Sequence, residues 1–150
     1  AAVMILLGFA AVLGWMVTFE GVGREFIQLT SGMNPIVVIL LINLVLLIVG
    51  MFMDSTAAML VFVPLLAPLA TSLGIPPVQF GIMVVVNLMI GLVTPPVGFS
   101  LYVTAEIAEV PLHKVISAIL PFLIPLLTVL AIVVAVPSVT LWLPSIMLGR

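Results

Sequence analysis

Between Asn34 and Asp54 the chain reads PIVVILLINLVLLIVGMFM, 19 residues without a charge. About 20 apolar residues suffice to cross a hydrocarbon core of about 30 Å. Nothing else in the sequence is polar enough to shield such a run from water: 65% of the residues are hydrophobic, 5% are charged, and the mean hydropathy is +1.61. A soluble domain carries roughly a quarter charged residues. Because backbone groups in lipid must be satisfied internally, these runs predict an all-α polytopic membrane protein with the lipid bilayer as its solvent.

The same scarcity of polar groups excludes several functions. Five acidic and three basic residues give a net charge of -2, with no basic cluster that follows a phosphate backbone, so nucleic acid is not a partner. The absence of cysteine removes disulfides, thiolate nucleophiles and iron–sulfur ligands, and His113 is the sole histidine, so no transition-metal site is expected. An intramembrane enzyme is a remote alternative, because Asp54 has no partner aspartate and His113 falls in a connector.

Polar islands divide the chain into segments. The first, AAVMILLGFAAVLGWMVTF at 1–19, is too long for a signal-peptide core and reads as a membrane span, and the opening reads as truncated. Residues 20–34, EGVGREFIQLTSGMN, hold three of the eight charges and admit either a short helix along the interface or a plain polar loop. After the run at 35–53 come Asp54-Ser55-Thr56 and then AAMLVFVPLLAPLATSLG, which carries Pro64 and Pro68. About 15 helical residues in this second limb would reach only about 22 Å. That favours a hairpin over 34–73 that re-enters on the same side; two conventional spans joined by a tight turn fit the hydropathy equally well.

Residues 76–107, PPVQFGIMVVVNLMIGLVTPPVGFSLYVTAEI, form one helix broken at GLVTPPVG, residues 91–98. Pro is tolerated in a first helical turn, so Pro76-Pro77 are expected to open the first half and Pro95-Pro96 the second. The connector EVPLHK at 109–114 precedes a last span at about 115–136, and Trp142 in the closing PSVTLWLPSIMLGR suits an interface. Lys114 and His113 make that connector weakly cytoplasmic, which puts the arm at 20–34 and the mouth of the hairpin outside.

Non-helical backbone at membrane depth must be buried in protein or line a wet cavity. The break at 94–98 leaves free carbonyls at one helix end and free amides at the other, one suited to a cation and one to an anion. Secondary transporters hold sodium and anionic substrates this way; a Pro-kinked packing helix is the plainer reading. Thr94 adds a hydroxyl oxygen, and Gly91 and Gly98 let other backbone approach. The lone Asp54, between two apolar limbs, admits two roles: an ion ligand with Ser55, Thr56 and the carbonyls near Gly50, or an N-cap for the limb beyond it. Asn43 precedes Gly50 by seven residues, as Asn87 precedes Thr94, so each Asn lies two turns from a break on the same helix face.

The segment GMFMDSTAAMLVFVPLLAPLATSLGIPPVQFGIMVVVNLMIGLVTPPVGFSLYV, with LPF at 120–122 and the closing PSVTLWLP, resembles the C-terminal part of the large membrane subunit of tripartite ATP-independent periplasmic (TRAP) transporters. LGIPPVQFG and GLVTPPVG are its most specific pieces. The resemblance implies a sodium-coupled permease of the bacterial or archaeal cytoplasmic (inner) membrane. It would import organic acids such as C4-dicarboxylates or sialic acid, delivered by a periplasmic solute-binding protein, together with a small TRAP membrane subunit. The implied fold is one half of an inverted repeat of the ion-transporter superfamily, working as an elevator, with the N-terminal repeat absent. Residues 1–33 would be a scaffold helix and interfacial arm, 34–107 the transport-domain part with hairpin 34–73 and broken helix 76–107, and 108–150 the connector and final helix. Carried onto this chain, Gly50, Asp54, Ser55 and Thr56 at the hairpin apex and Thr94, Pro95, Pro96, Val97 and Gly98 in the loop would bind sodium and substrate, with Asn43 and Asn87 as supporting polar groups. Na+ as coupling ion is the only metal implied, with no other cofactor. A truncated or non-transporting membrane subunit is the alternative.

Overall fold

The computed structural model describes residues 20–30 and 32–148, with scattered positions between 5 and 19, so the first apolar span at 1–19 lies outside the continuously described residues. Among the described residues there are helices and turns and no strand. The helices are α1 (Val22–Thr30), α2 (Pro35–Phe52), α3 (Ser55–Ser72), α4 (Pro77–Leu92), α5 (Phe99–Ile107), α6 (Leu112–Ala135) and α7 (Pro137–Leu148). Three of them, α2, α3 and α6, are long and apolar enough to cross a membrane.

The arm is a helix rather than a loop: α1 is strongly amphipathic and packs against α3. Asn34 then caps α2, its Oδ1 accepting from the Ile36 amide at 3.0 Å, with Pro35 at the first helical position where a missing N–H costs nothing. Along α2 the residues Val38, Ile42, Leu46 and Gly50 recur every fourth position and are buried. The opposite stripe, Ile36, Leu40, Leu44, Ile48 and Phe52, is just as apolar yet exposed. A helix apolar all round belongs inside a large core or in lipid, so this outer stripe is a lipid-facing or subunit-facing surface.

Only Met53 and Asp54 separate α2 from α3, which gives the hairpin. The second limb is longer than the sequence suggests. It runs 18 residues, through Pro64 and Pro68, to Ser72, about 27 Å at 1.5 Å per residue. Each proline removes one amide and relieves no more than one turn, and an apolar solvent offers the freed carbonyls no competing partner that would unwind the helix further. α3 closes with Gly74 at φ +74° and the Ile75 amide on the Ala70 carbonyl at 3.0 Å, the left-handed stop that glycine permits.

Pro77 opens α4 as expected, with Pro76 before it. The second half begins later than the prolines imply: Pro95 and Pro96 lie in the connecting turn, joined by a cis bond, and α5 starts at Phe99 after Gly98. Thr94–Gly98 is therefore a true break of several residues. At 16 and 9 residues, α4 and α5 reach about 24 and 14 Å, so neither half crosses the core alone.

The final span also differs from the expected bounds. α6 covers Leu112–Ala135, continuous through Pro121 and Pro125, and after Val136 the chain resumes as α7. α4 sits at the centre of the fold, packed against α2, α3, α6 and α7, and the largest of the fully buried side chains, Val38, Leu46, Met83, Val84, Asn87 and Leu88, lie on α2 or α4.

Candidate functional site

The α2/α4 seam positions everything of interest. Asn43 meets Asn87 and Gly50 meets Gly91, partner numbers rising together, so the two helices run in the same direction and their C-terminal ends lie side by side. At the Gly50/Gly91 crossing the backbones touch. A Cβ on Gly91 would sit 2.7 Å from the Gly50 carbonyl carbon and 2.8 Å from the Leu47 carbonyl oxygen; one on Gly50 would sit 2.9 Å from the Leu88 carbonyl oxygen. Only glycine at both positions allows this approach.

Just beyond the crossing each helix ends. The α4 end is unusual because residues 95 and 96 are prolines and present no amide to the Gly91 and Leu92 carbonyls, their ordinary i+4 acceptors. Gly91 recovers a partner in the Thr94 amide at 3.0 Å. Gly98, at φ +36°, leaves space that a Cβ would fill: it would lie 3.0 Å from the Thr94 carbonyl oxygen and 3.1 Å from that of Leu92. The loop thus gathers carbonyl oxygens around a glycine. The Thr94 hydroxyl donates to the Ile90 carbonyl at 2.6 Å, which directs its proton back along α4 and leaves its oxygen lone pairs as acceptors.

At the hairpin apex Asp54 is an N-cap. Its Oδ2 accepts from the Thr56 amide at 2.8 Å and the Ala57 amide at 3.4 Å, while Asp54 and Thr56 are exposed and Ser55 is buried. Capping does not remove the carboxylate from consideration as an ion ligand; it fixes its place at the start of α3, four residues past Gly50. In the loop, Thr94, Pro95 and Val97 are half-buried, Pro96 is exposed and Gly98 is buried. Glu106, Glu109 and His113 are all exposed, away from the seam, and no group of three metal-ligating side chains occurs among the described residues.

The seven-residue echo between Asn43 and Asn87 corresponds to a direct contact. Asn87 Nδ2 donates to Asn43 Oδ1 at 2.6 Å and to the Met83 carbonyl at 3.0 Å, and Asn43 Nδ2 donates to the Ile39 carbonyl at 2.7 Å and reaches Met83 Sδ at 3.5 Å. Asn87 is 0% exposed, and its Oδ1 has no hydrogen-bond partner among the described residues. Leaving a buried acceptor unpaired costs about 1–3 kcal/mol.

Gln79 was not singled out by sequence reasoning. Its Nε2 is buried and donates to the Val133 and Val134 carbonyls at 3.1 and 3.2 Å. Pro137 supplies no amide to Val133, so the α4 side chain stands in for the missing donor and ties α4 to the end of α6. The only available signal was a lone amide in an apolar run. A groove of about 620 Å³ between α2 and α6 is lined by apolar side chains such as Ile36, Leu40, Leu127 and Val134, with Asn43 the only polar lining residue among the described residues; that chemistry does not suit an organic anion.

A helical fold with membrane-length spans, a two-residue hairpin apex and a helix broken beside it defines an all-α polytopic membrane protein built around discontinuous helices. Residues 1–139 match the family described as tripartite ATP-independent periplasmic transporter, DctM component, and the chain belongs to that family. It is 44% identical over 99% of its length to the sialic acid TRAP transporter large permease protein SiaM of Vibrio cholerae serotype O1, covering 35% of that protein. It is 37% identical over 97% of its length to the C4-dicarboxylate TRAP transporter large permease protein DctM of the same organism, covering 33% of it. The isethionate TRAP transporter permease protein DctMQ of Oleidesulfovibrio alaskensis is 38% identical over 95% of the chain, which covers 23% of that protein. These relatives are named as transporter permeases, not enzymes. The chain spans about a third of the length of the two Vibrio proteins.

Proposed function

We propose that this chain is the C-terminal part of a sodium-coupled TRAP large permease of the bacterial or archaeal cytoplasmic membrane. The whole subunit imports an organic acid that a periplasmic binding protein delivers, and it works with a small membrane subunit. The names of the relatives support the substrate class, since sialic acid, C4-dicarboxylates and isethionate are all organic anions.

The observation that carries the reading is the Gly50/Gly91 crossing. It brings the C-terminal ends of α2 and α4, with their partial negative charge, together; α3 begins three residues past the end of α2 and α5 seven residues past the end of α4, each with a partial positive charge. Carbonyl oxygens from the α4 end, the Thr94 hydroxyl and the apex around Asp54 are hard oxygen donors suited to Na+, and the amide ends suit a carboxylate. The N-terminal repeat supplies the other wall of the pocket, and the hairpin and broken helix move together as an elevator against the scaffold.

The test is uptake of labelled organic acid by the full-length subunit with its partners in proteoliposomes, at graded sodium. Thr94→Ala should raise the sodium concentration for half-maximal uptake roughly tenfold, the effect of one lost ligand worth about 1.4 kcal/mol. Sodium-independent uptake by the unaltered protein would overturn the reading. Equal loss in Thr94→Ala at every sodium concentration would remove Thr94 from the site.

A further inference from the structure

We propose that the Asn43–Asn87 bridge is a positioning device that fixes the height of the hairpin apex against the broken-helix loop and thereby sets the affinity of that site for its cation. The inference rests on the sodium-site reading above and adds two residues that lie outside the site itself. Each is seven residues, about two helical turns or 10 Å, before the feature it aligns: Gly50 for Asn43 and Thr94 for Asn87.

The two kinds of contact along the α2/α4 seam do different work. The Gly50/Gly91 crossing lets the backbones approach but carries no directional bond that opposes a slide along the seam. The 2.6 Å hydrogen bond from Asn87 to Asn43 does oppose one. Around it lie Leu46, Met83, Val84 and Leu88, all buried, so a slip of one turn, about 5.4 Å, would strand both amides among apolar side chains. A single buried Asn is a known means of selecting one helix register at a cost in stability.

The bridge shows that cost. Asn43 commits its amide to the Ile39 carbonyl and to Met83 Sδ, so the pair cannot close reciprocally and Asn87 Oδ1 is left unpaired. Two apolar residues of similar shape would hold the helices together as well or better. What they would not add is a directional lock on the register that the Gly50/Gly91 contact restricts only sterically. Because α2 and α4 run in the same direction, register is what decides whether their terminal carbonyls lie level.

The experiment uses the full-length subunit with its partners. Asn87→Leu, Asn43→Leu and the double substitution are compared for the sodium dependence of uptake and for the melting temperature of the purified subunit. Each variant should raise the half-saturating sodium concentration roughly tenfold, while the melting temperature of the double variant stays level or rises, because both amides and the unpaired Asn87 oxygen go together, whereas Asn87→Leu alone leaves Asn43 Oδ1 without its donor. The double variant should be no worse than either single one, since all three break the same bridge. Unchanged sodium affinity in Asn87→Leu and the double variant, additive shifts, or a shift in the double variant that follows a falling melting temperature would each overturn the proposal. Sodium-independent uptake by the unaltered protein would sink the sodium reading and this inference with it, whereas sodium-dependent uptake with unshifted variants sinks only the inference.

Discussion

Gly50 and Gly91 hold α2 and α4 in backbone contact, with the absent Gly91 side chain marking a point 2.7 Å from the Gly50 carbonyl carbon. Backbone cannot swing aside as a flexible side chain does. Gly91→Ala must therefore push the two helices apart along the whole seam, and overpacking of this kind costs about 1–3 kcal/mol. The full-length subunit carrying it should melt at a lower temperature in detergent and lose sodium-dependent uptake. Gly81→Ala is the control, since a Cβ there meets nothing within 4 Å; an equal effect of the two substitutions would refute the account of the crossing.

Asp54 has two separable roles, the cap and the charge. Asn caps a helix as well as Asp does, whereas Ala leaves the Thr56 and Ala57 amides without their acceptor. Asp54→Ala should lower stability by about 1 kcal/mol, and Asp54→Asn should leave the melting temperature where it was. If the carboxylate also serves the cation, Asp54→Asn will weaken sodium dependence at full stability. Uptake by Asp54→Asn with unaltered sodium dependence would confine Asp54 to capping.

Gln79 replaces a donor that Pro137 cannot provide, so its removal uncovers buried carbonyls rather than an exposed contact. Gln79→Leu should cost about 1–3 kcal/mol, the penalty for unpaired buried polar groups. Hydrogen exchange, read at the amides of residues 133–148, should show the loss concentrated at the α6/α7 junction. Protection unchanged there would mean that the bonds add nothing.

Much of this architecture is legible in the sequence, and the exceptions have physical causes. The apolar run at 35–53 and the polar triplet after it locate the hairpin, since hydropathy in a membrane protein reports solvent directly. The two prolines and two glycines of 91–98 locate the break, and Gly91 is legible as a point of close approach. Local rules fall short at α3, which reads as about 15 helical residues yet runs 18, through Pro64 and Pro68. They fail again at Pro95-Pro96, which are read as a helix start and instead form the turn before Gly98. In both cases the surrounding helices and the apolar solvent, not the local sequence, decide how far backbone order extends. Gln79 and the Asn43–Asn87 bond were out of reach for another reason: each depends on a partner more than 40 residues away. The equal spacing of the two asparagines from their breaks hinted at the second, because residues at equal height on helices that run in the same direction are the ones able to meet.

The Gln79 bond also bears on how the protein is made. The donor precedes its Val133 acceptor by 54 residues, so during synthesis α4 enters the bilayer with a polar amide whose partners the ribosome has not yet produced. Until α6 arrives, that amide must be kept by the translocation machinery, by stray water or by neighbouring carbonyls. Docking of α6 ends the exposure, which makes that helix a latch on assembly: without residues 133 and 134 the Gln79 amide has no partner of its own among the described residues.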